Sequence, residues 1–382
     1  MTPGARAQAA IELLDMIIVA ARDAGAAADT LIARYFATRR YAGSKDRRAV
    51  RELVYDAIRL CGERPADGRA ALLALAAIRP ELAAAFDGSP HAPAPIAAGE
   101  PVAMAGPAPR WLAELLAASG LDAEEQAALA GRAPLDVRVN RLVVGELPEG
   151  AAVTGLPDAL RLAPGTDVER YDAIEVQDAG SQWVTLAAAA APGMTVVDLC
   201  AGAGGKTLAL AAAMANQGRI LACDIDRARL TRLPPRAERA GVTIAETRLL
   251  DPARERELLA DVAADLVLID APCSGTGTWR RNPEARWRLT PARLERFAAT
   301  QRHLLDLATA LVRPGGAIAY VTCSLLDAEG ADQIAAFLSR HPDWRPETPE
   351  IAAGRRRGDG IRLTPASDAT DGFFVARLRA PC

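Results

Sequence analysis

From Gly193 onward, short apolar runs rich in β-branched residues alternate with longer stretches of helical spacing. Strands are predicted at 195–199, 219–223, 242–246, 264–269 and 316–321, and a final one at 373–378 that would add to a sheet edge. Helices fit between them at 206–214, 227–240, 252–259, 291–311 and 328–340. This order predicts an α/β domain with a doubly wound parallel sheet. The N-terminal third reads differently. Ile11, Leu14, Ile18 and Ala21 fall on one helical face, and so do Val50, Leu53, Val54, Ala57 and Ile58. An all-α domain over residues 1–86 is expected. A Pro/Gly/Ala-rich linker at 87–109 should follow, then an N-terminal extension at 110–190, then the sheet domain at 191–382. Helices at 110–119 and 122–131 and a strand at 135–144 fit within the extension.

At 382 residues the chain is long enough for two domains with separate cores. No run of eighteen apolar residues suggests a membrane span, and the start Met1-Thr-Pro-Gly-Ala-Arg6 leads straight into a helical pattern. A cytoplasmic protein is the expectation. Six cysteines without C-x-x-C spacing, and only three histidines, point away from a disulfide framework or a zinc site. The net charge of −3 does not mark a nucleic-acid binder, so any such role rests on local patches. Nearly every cation is Arg; the only lysines are Lys45 and Lys206.

The candidate chemistry gathers at strand ends. Asp198-Leu-Cys-Ala-Gly-Ala-Gly-Gly-Lys-Thr207 joins the first strand to its helix. Glycines there let a ligand approach the backbone, and a helix N-terminus presents free N–H groups. The position that a Walker A loop gives to its first Gly holds Cys200, and the third Gly of a dinucleotide loop is replaced by Thr207, so both readings weaken. Asp224 ends the second strand, where an acid can hold ribose hydroxyls. Asp251 follows the third, as adenine acceptor or helix cap, and Asp270 ends the fourth. An adenosine moiety without polyphosphate, such as S-adenosylmethionine, fits this set. Cys273 and Cys323 lie just past the fourth and fifth strands, where open α/β sheets bind ligands.

These segments resemble the Nol/Nop/Sun (RsmB-like) RNA cytosine-5 methyltransferases, of the bacterial type with a NusB-like N-terminal domain. The likeness runs over residues 107–382, through Arg138-Val-Asn140, Gln177–Gln182, Asp198–Thr207, Asp270–Gly277, Arg281-Asn-Pro-Glu284 with Trp287, Thr322-Cys-Ser324 and Gly372-Phe-Phe374. Residues 1–86 are similar to the NusB-like domain more loosely, through Asp46–Tyr55. The family loop reads Ala-Pro-Gly-Gly-Lys, whereas this chain has Gly202-Ala-Gly-Gly-Lys206. Losing that proline costs at most about 1 kcal/mol through unfolded-state entropy.

The resemblance implies a class I methyltransferase sheet that holds S-adenosylmethionine through Cys200, Ala201, Gly202, Ala203, Gly204, Gly205, Lys206, Asp224, Asp251 and Asp270. It assigns attack on cytosine C6 to Cys323 and product release to Cys273, with Asp270 and Lys206 beside the base. The implied substrate is RNA, with 16S ribosomal RNA favoured by the NusB-like domain, and the chain is expected to act as a monomer without a metal. Arg280, Arg281, Arg286, Arg288, Arg293 and Arg296, with Trp279 and Trp287, form one candidate RNA patch. Arg34, Arg39, Arg40, Arg47, Arg48 and Arg51 form another. Arg138 and Asn140 are RNA contacts by analogy or plain strand polarity, while Gln177–Gln182 and Phe373–Phe374 read as structural. Two alternatives stay open: a DNA cytosine-5 methyltransferase, which would depend on Cys273, and a non-catalytic RNA-binding assembly factor.

Overall fold

The apolar runs after Gly193 form the centre of a nine-stranded sheet. Numbered from the N-terminus, β1 (Leu135–Val139), β2 (Ala151–Ala152), β3 (Ala159–Leu162) and β4 (Ile174–Val176) make a separate small antiparallel sheet. The large sheet holds β5 (Thr195–Asp198), β6 (Arg219–Asp224), β7 (Ala245–Leu249), β8 (Ala264–Asp270), β9 (Val312–Thr322), β10 (Arg345–Glu347), β11 (Arg355–Arg357), β12 (Gly360–Leu363) and β13 (Phe373–Arg379). Its order is β7-β6-β5-β8-β9-β13-β12-β11, with β10 also paired to β13. Strands β5 to β9 are parallel, and β13 runs antiparallel to β9. The order reverses between β5 and β8, so the crevice for a ligand opens above their carboxyl ends.

Burial explains why these runs are strands. Val196, Val197, Val267, Leu268, Ile269, Ile318 and Ala319 are fully enclosed, since helices cover both faces. The strand expected at 242–246 lies three residues later, at Ala245–Leu249. It is the edge of the sheet and partly exposed, so its side chains carry little apolar signal. The helix expected at 227–240 is two helices, Arg227–Leu230 and Leu233–Arg239, because Pro234 and Pro235 cannot continue the first one. The last strand is not an edge. Beyond β13 sits the β11–β12 hairpin, whose Arg-rich sequence hid its strands.

The computed structural model describes residues 1–23 and 25–382, in two units: residues 1–132 with 278–290, and residues 133–277 with 291–382. The first is helical, with its core on Leu13, Leu14, Ile17, Ile58, Leu72 and Leu75. Each such side chain contributes about 1.5–3 kcal/mol through burial. Residues 87–109, read as a linker, run along this helical unit: Ala103 N–H donates to Ala70 O, Gly62 N–H to Met104 O and Gly106 N–H to Leu60 O. The region expected at 110–190 divides between the units at Arg132 and Ala133.

The Trp279–Arg288 segment is the main departure from expectation. Trp279, Arg286 and Trp287 are buried. Arg286 Nη2 donates to the carbonyls of Ile58, Arg59 and Cys61, at the end of helix Ser44–Leu60. Trp287 Nε1 donates to Cys61 O, Arg288 donates to Gly25 O and Ala26 O, and Glu284 accepts from Ala28 N–H at a helix start. A guanidinium satisfies terminal helix carbonyls as readily as it binds phosphate. Trp279, Arg286, Trp287 and Arg288, read as part of an RNA patch, therefore serve the helical unit, whereas Arg293 and exposed Arg296 lie on helix Pro291–Ala308.

Candidate active site

The cofactor-type loop is built by backbone conformation first. Gly202 and Gly204 both adopt positive φ, at 56° and 88°. A Cβ on Gly204 would overlap Leu233 Cδ1, so glycine is required there on two counts. Gly202 N–H donates to Asp224 Oδ2 at 2.7 Å, while Asp224 Oδ1 accepts from Asp226 N–H at 2.8 Å. Arg236 Nη1 donates to Ala203 O at 2.6 Å, a tether at the position where proline is missing. Helix Gly205–Ala213 starts directly after the loop, with no side-chain cap on its first N–H groups.

Beneath the loop lies Asp198, wholly buried, accepting from Thr207 Oγ1 at 2.6 Å. Burial raises its carboxyl to about 7, and its Oδ1 has no partner among the described residues. Burial likewise pushes the Cys200 thiol well up, and the nearby acids add to this. Lys206 Nζ donates to Asp270 Oδ2 at 2.7 Å. Burial works against the lysine charge, but Asp270 outweighs it and the pKa of Lys206 stays raised. The Lys206 ammonium also stands 5.4 Å from the Phe373 ring centre, which gives the strand-end phenylalanine a packing role.

Cys273 and Cys323 meet at the same place. Their sulfurs are 3.4 Å apart, on loops that follow adjacent parallel strands β8 and β9. The contact with Cys323 and then burial push the Cys273 thiol well above its usual range. A cleft of about 890 Å³ joins the pieces, lined by Leu199, Cys200, Asp224, Ile225, Asp270, Cys273 and Cys323 among others. Its residues suit an adenosine-type ligand. Asp224 presents carboxylate oxygens suited to ribose hydroxyls and exposed Ile225 offers an apolar face, while Gly202 and Gly204 are packed against Arg229 and Leu233 rather than lining the cleft.

Asp251 is placed differently from the other acids. It is exposed, and its Oδ1 accepts from Ala253 N–H at 3.0 Å, while its neighbours Leu250 and Pro252 line the cleft. Arg138 and Asn140 are buried, donating to Gln177 Oε1 and Ala240 O, which corrects their reading as RNA contacts. Asp178 of the Gln177–Gln182 segment caps helix Ala179–Ala187 and accepts from Asp371 N–H, as a structural motif should. Sequence reasoning overlooked His303 and Glu255, which bond to each other at the cleft wall, and Glu329, beneath the thiol pair. A histidine on a polar helix face gives no signal; an acid five residues after Ser324 gives a faint one.

The sheet order, the loop and the cleft define a Rossmann-like methyltransferase fold. A family model described as "16S rRNA methyltransferase RsmB/F" matches residues 185–379. A Synechocystis protein named "Probable ribosomal RNA small subunit methyltransferase B" is 36% identical over 298 residues, 71% of this chain and 66% of that protein. The ribosomal RNA small subunit methyltransferase B of Sodalis glossinidius is 34% identical over 297 residues, covering 71% and 65%. The chain thus spans just under two thirds of the length of these relatives. The solved structure of PH0851 superposes with a TM-score of 0.76 at 24% identity, covering 99% of both chains, and shows the same fold. The chain belongs to the RsmB/F methyltransferase family, whose members depend on S-adenosylmethionine. Among the described residues no group of acids, histidines and cysteines is arranged to hold a metal, and no helix is long and apolar enough to cross a membrane.

Proposed function

We propose that this protein methylates C5 of a cytosine in RNA, with 16S ribosomal RNA as substrate, through a covalent bond from Cys323 to C6 of the base. The observation that carries the reading is the 3.4 Å contact of two thiols beside the Lys206–Asp270 pair, at the mouth of the loop cleft. Cytosine C5 is a weak nucleophile until a thiolate adds at C6, and cysteine is intrinsically the most able side chain for that addition. S-adenosylmethionine, when bound by the 200–206 loop, Asp224 and Asp270, supplies an electrophilic methyl group.

The chain's own residues do the rest. Cys323 gives its thiol proton up to solvent and bonds through Sγ to C6 as N3 takes up a proton, and the electron pair of the C5–C6 bond becomes available at C5. Asp270, held by Lys206, faces the N3 edge of the base and stabilises its protonated form. Once C5 carries the methyl group, its proton is lost to solvent, the C5–C6 double bond re-forms, the S–C6 bond breaks with its pair on sulfur, and N3 returns its proton to solvent. Cys273 stays a neutral thiol because of its neighbour and its burial, so it can donate a hydrogen bond to the departing Cys323 sulfur. Exposed Arg34, Arg40, Arg48 and Lys45 on the helical unit supply phosphate contacts that dock the RNA.

The test is to incubate the protein with 16S rRNA and methyl-labelled S-adenosylmethionine, then digest the RNA to nucleosides. Label is expected in 5-methylcytidine. Label in any other nucleoside, or none in RNA under conditions where the cofactor binds, would overturn the proposal.

A further inference from the structure

Beneath the two cysteine loops lies a carboxylate that no step above uses. Glu329 is almost wholly buried, and among the described residues no cation pairs with it. Its Oε1 accepts from Ser274 N–H at 2.9 Å and Gln301 Nε2 at 3.1 Å; its Oε2 accepts from Ser324 Oγ at 2.6 Å. Ser274 and Ser324 are the residues directly after Cys273 and Cys323. Their hydroxyls also bond each other at 3.1 Å, and Gln301 Nε2 reaches Pro272 O at 2.9 Å, just before Cys273. Around this carboxylate the loops are laced by Gly277 N–H to Cys323 O at 2.9 Å and Leu325 N–H to Thr276 Oγ1 at 2.8 Å.

An unpaired buried carboxylate is an expensive way to gain stability, and a well-packed apolar side chain would serve folding as well or better. What it provides instead is geometry, because three donors from three segments converge on one rigid planar group. We propose that Glu329 is the positioning residue of the thiol pair, holding the Cys273 and Cys323 loops in the register that brings their sulfurs together. Its catalytic consequence rests on the role proposed for Cys323; the positioning itself does not.

Its charge acts in the same direction. Glu329 adds to the contact and burial that keep Cys273 protonated, which separates the two thiols into a donor and a nucleophile. The other titratable groups around the pair are Tyr320 from β9, Asp270 from β8, and Lys206 and Cys200 from the loop. Tyr320 donates its hydroxyl to the backbone carbonyl of Glu329, so the ring braces the clamp from below.

The experiment measures iodoacetamide alkylation of each cysteine in the free 382-residue protein, resolved by peptide mass spectrometry between pH 6 and 9.5. Wild type, Glu329→Gln and Glu329→Ala are compared, and buried Cys223 staying unlabelled reports an intact fold. In wild type, Cys273 should react more slowly than Cys323, with its rate rising only at the top of the range. Glu329→Gln keeps an oxygen for Ser274 and Gln301 but loses the charge. Its Cys273 profile should move to lower pH, with about a tenfold gain in rate for each unit moved. Glu329→Ala should bring the two rates together and lower kcat for methyl transfer at least tenfold with KM for S-adenosylmethionine unchanged, Gln falling between. Wild-type alkylation profiles in both folded variants would overturn the proposal; Gln carries the test if Ala fails to fold. Altered profiles in a protein whose wild type transfers no methyl group still support the clamp and count only against the proposed reaction.

Discussion

Replacing Arg286 by alanine separates the two possible roles of the Trp279–Arg288 segment. Its guanidinium is fully enclosed, and burial lowers its pKa to about 10 while three carbonyls of the Ile58–Cys61 turn hold it in place. Hydrogen bonds from a charged donor contribute about 1.5–3 kcal/mol each, and because Nη2 has two N–H groups, one shared between two carbonyls, they amount to roughly 3–6 kcal/mol. The guanidinium's own desolvation, several kcal/mol, offsets much of this. A net loss of about 2 kcal/mol remains, on the order of thirtyfold in local opening. Hydrogen exchange read by mass spectrometry on peptides from helix Ser44–Leu60 should show that loss of protection. An RNA-contacting arginine predicts something else: unchanged exchange, weaker RNA binding and a salt dependence shallower by about one phosphate contact. That outcome would refute the structural assignment.

Other consequences follow from the loop and the buried acid. Because burial raises the folded carboxyl of Asp198 to about 7, its contribution to stability is complete below about pH 4 and is lost as pH rises toward 7. Asp198→Asn should therefore gain on wild type by roughly 1–4 kcal/mol between pH 4 and 8, read as a melting-temperature difference; a pH-independent difference would contradict the assignment. Gly204→Ala places a Cβ against Leu233 at a φ of 88° and should cost about 2 kcal/mol in thermal unfolding together with cofactor affinity. Calorimetric titration of Asp224→Ala with S-adenosylhomocysteine should show affinity at least about tenfold weaker, since a ribose acceptor and the Gly202 tether go together; equal affinity would remove Asp224 from the site.

How far the sequence carried depended on whether a pattern had one physical reading. Unbroken apolar runs such as Val267–Ile269 can be little else than buried strands, and Asp224 and Asp270 stand at the ends of β6 and β8. Arg355–Leu363 forms strands through backbone pairing with few apolar side chains, so alternation revealed nothing. Arg286 and Trp287 looked like a nucleic-acid surface because the same donors serve phosphates and helix carbonyls; only the fold decides which partner is present. Cys273 and Cys323 were visible as strand-end thiols, but their 3.4 Å contact depends on β8 and β9 being neighbours. Glu329 gave only a faint signal for the same reason, since Ser274, Gln301 and Ser324 converge on it only after the loops fold.

The central claim is that the two thiols have different tasks. Wild type, Cys323→Ala and Cys273→Ala, each incubated with 16S rRNA and S-adenosylmethionine and run on a denaturing gel, test it directly. Cys273→Ala should accumulate a protein–RNA adduct linked through Cys323, and Cys323→Ala should give neither adduct nor methylated RNA. Methylation by Cys323→Ala at the wild-type rate would contradict the account.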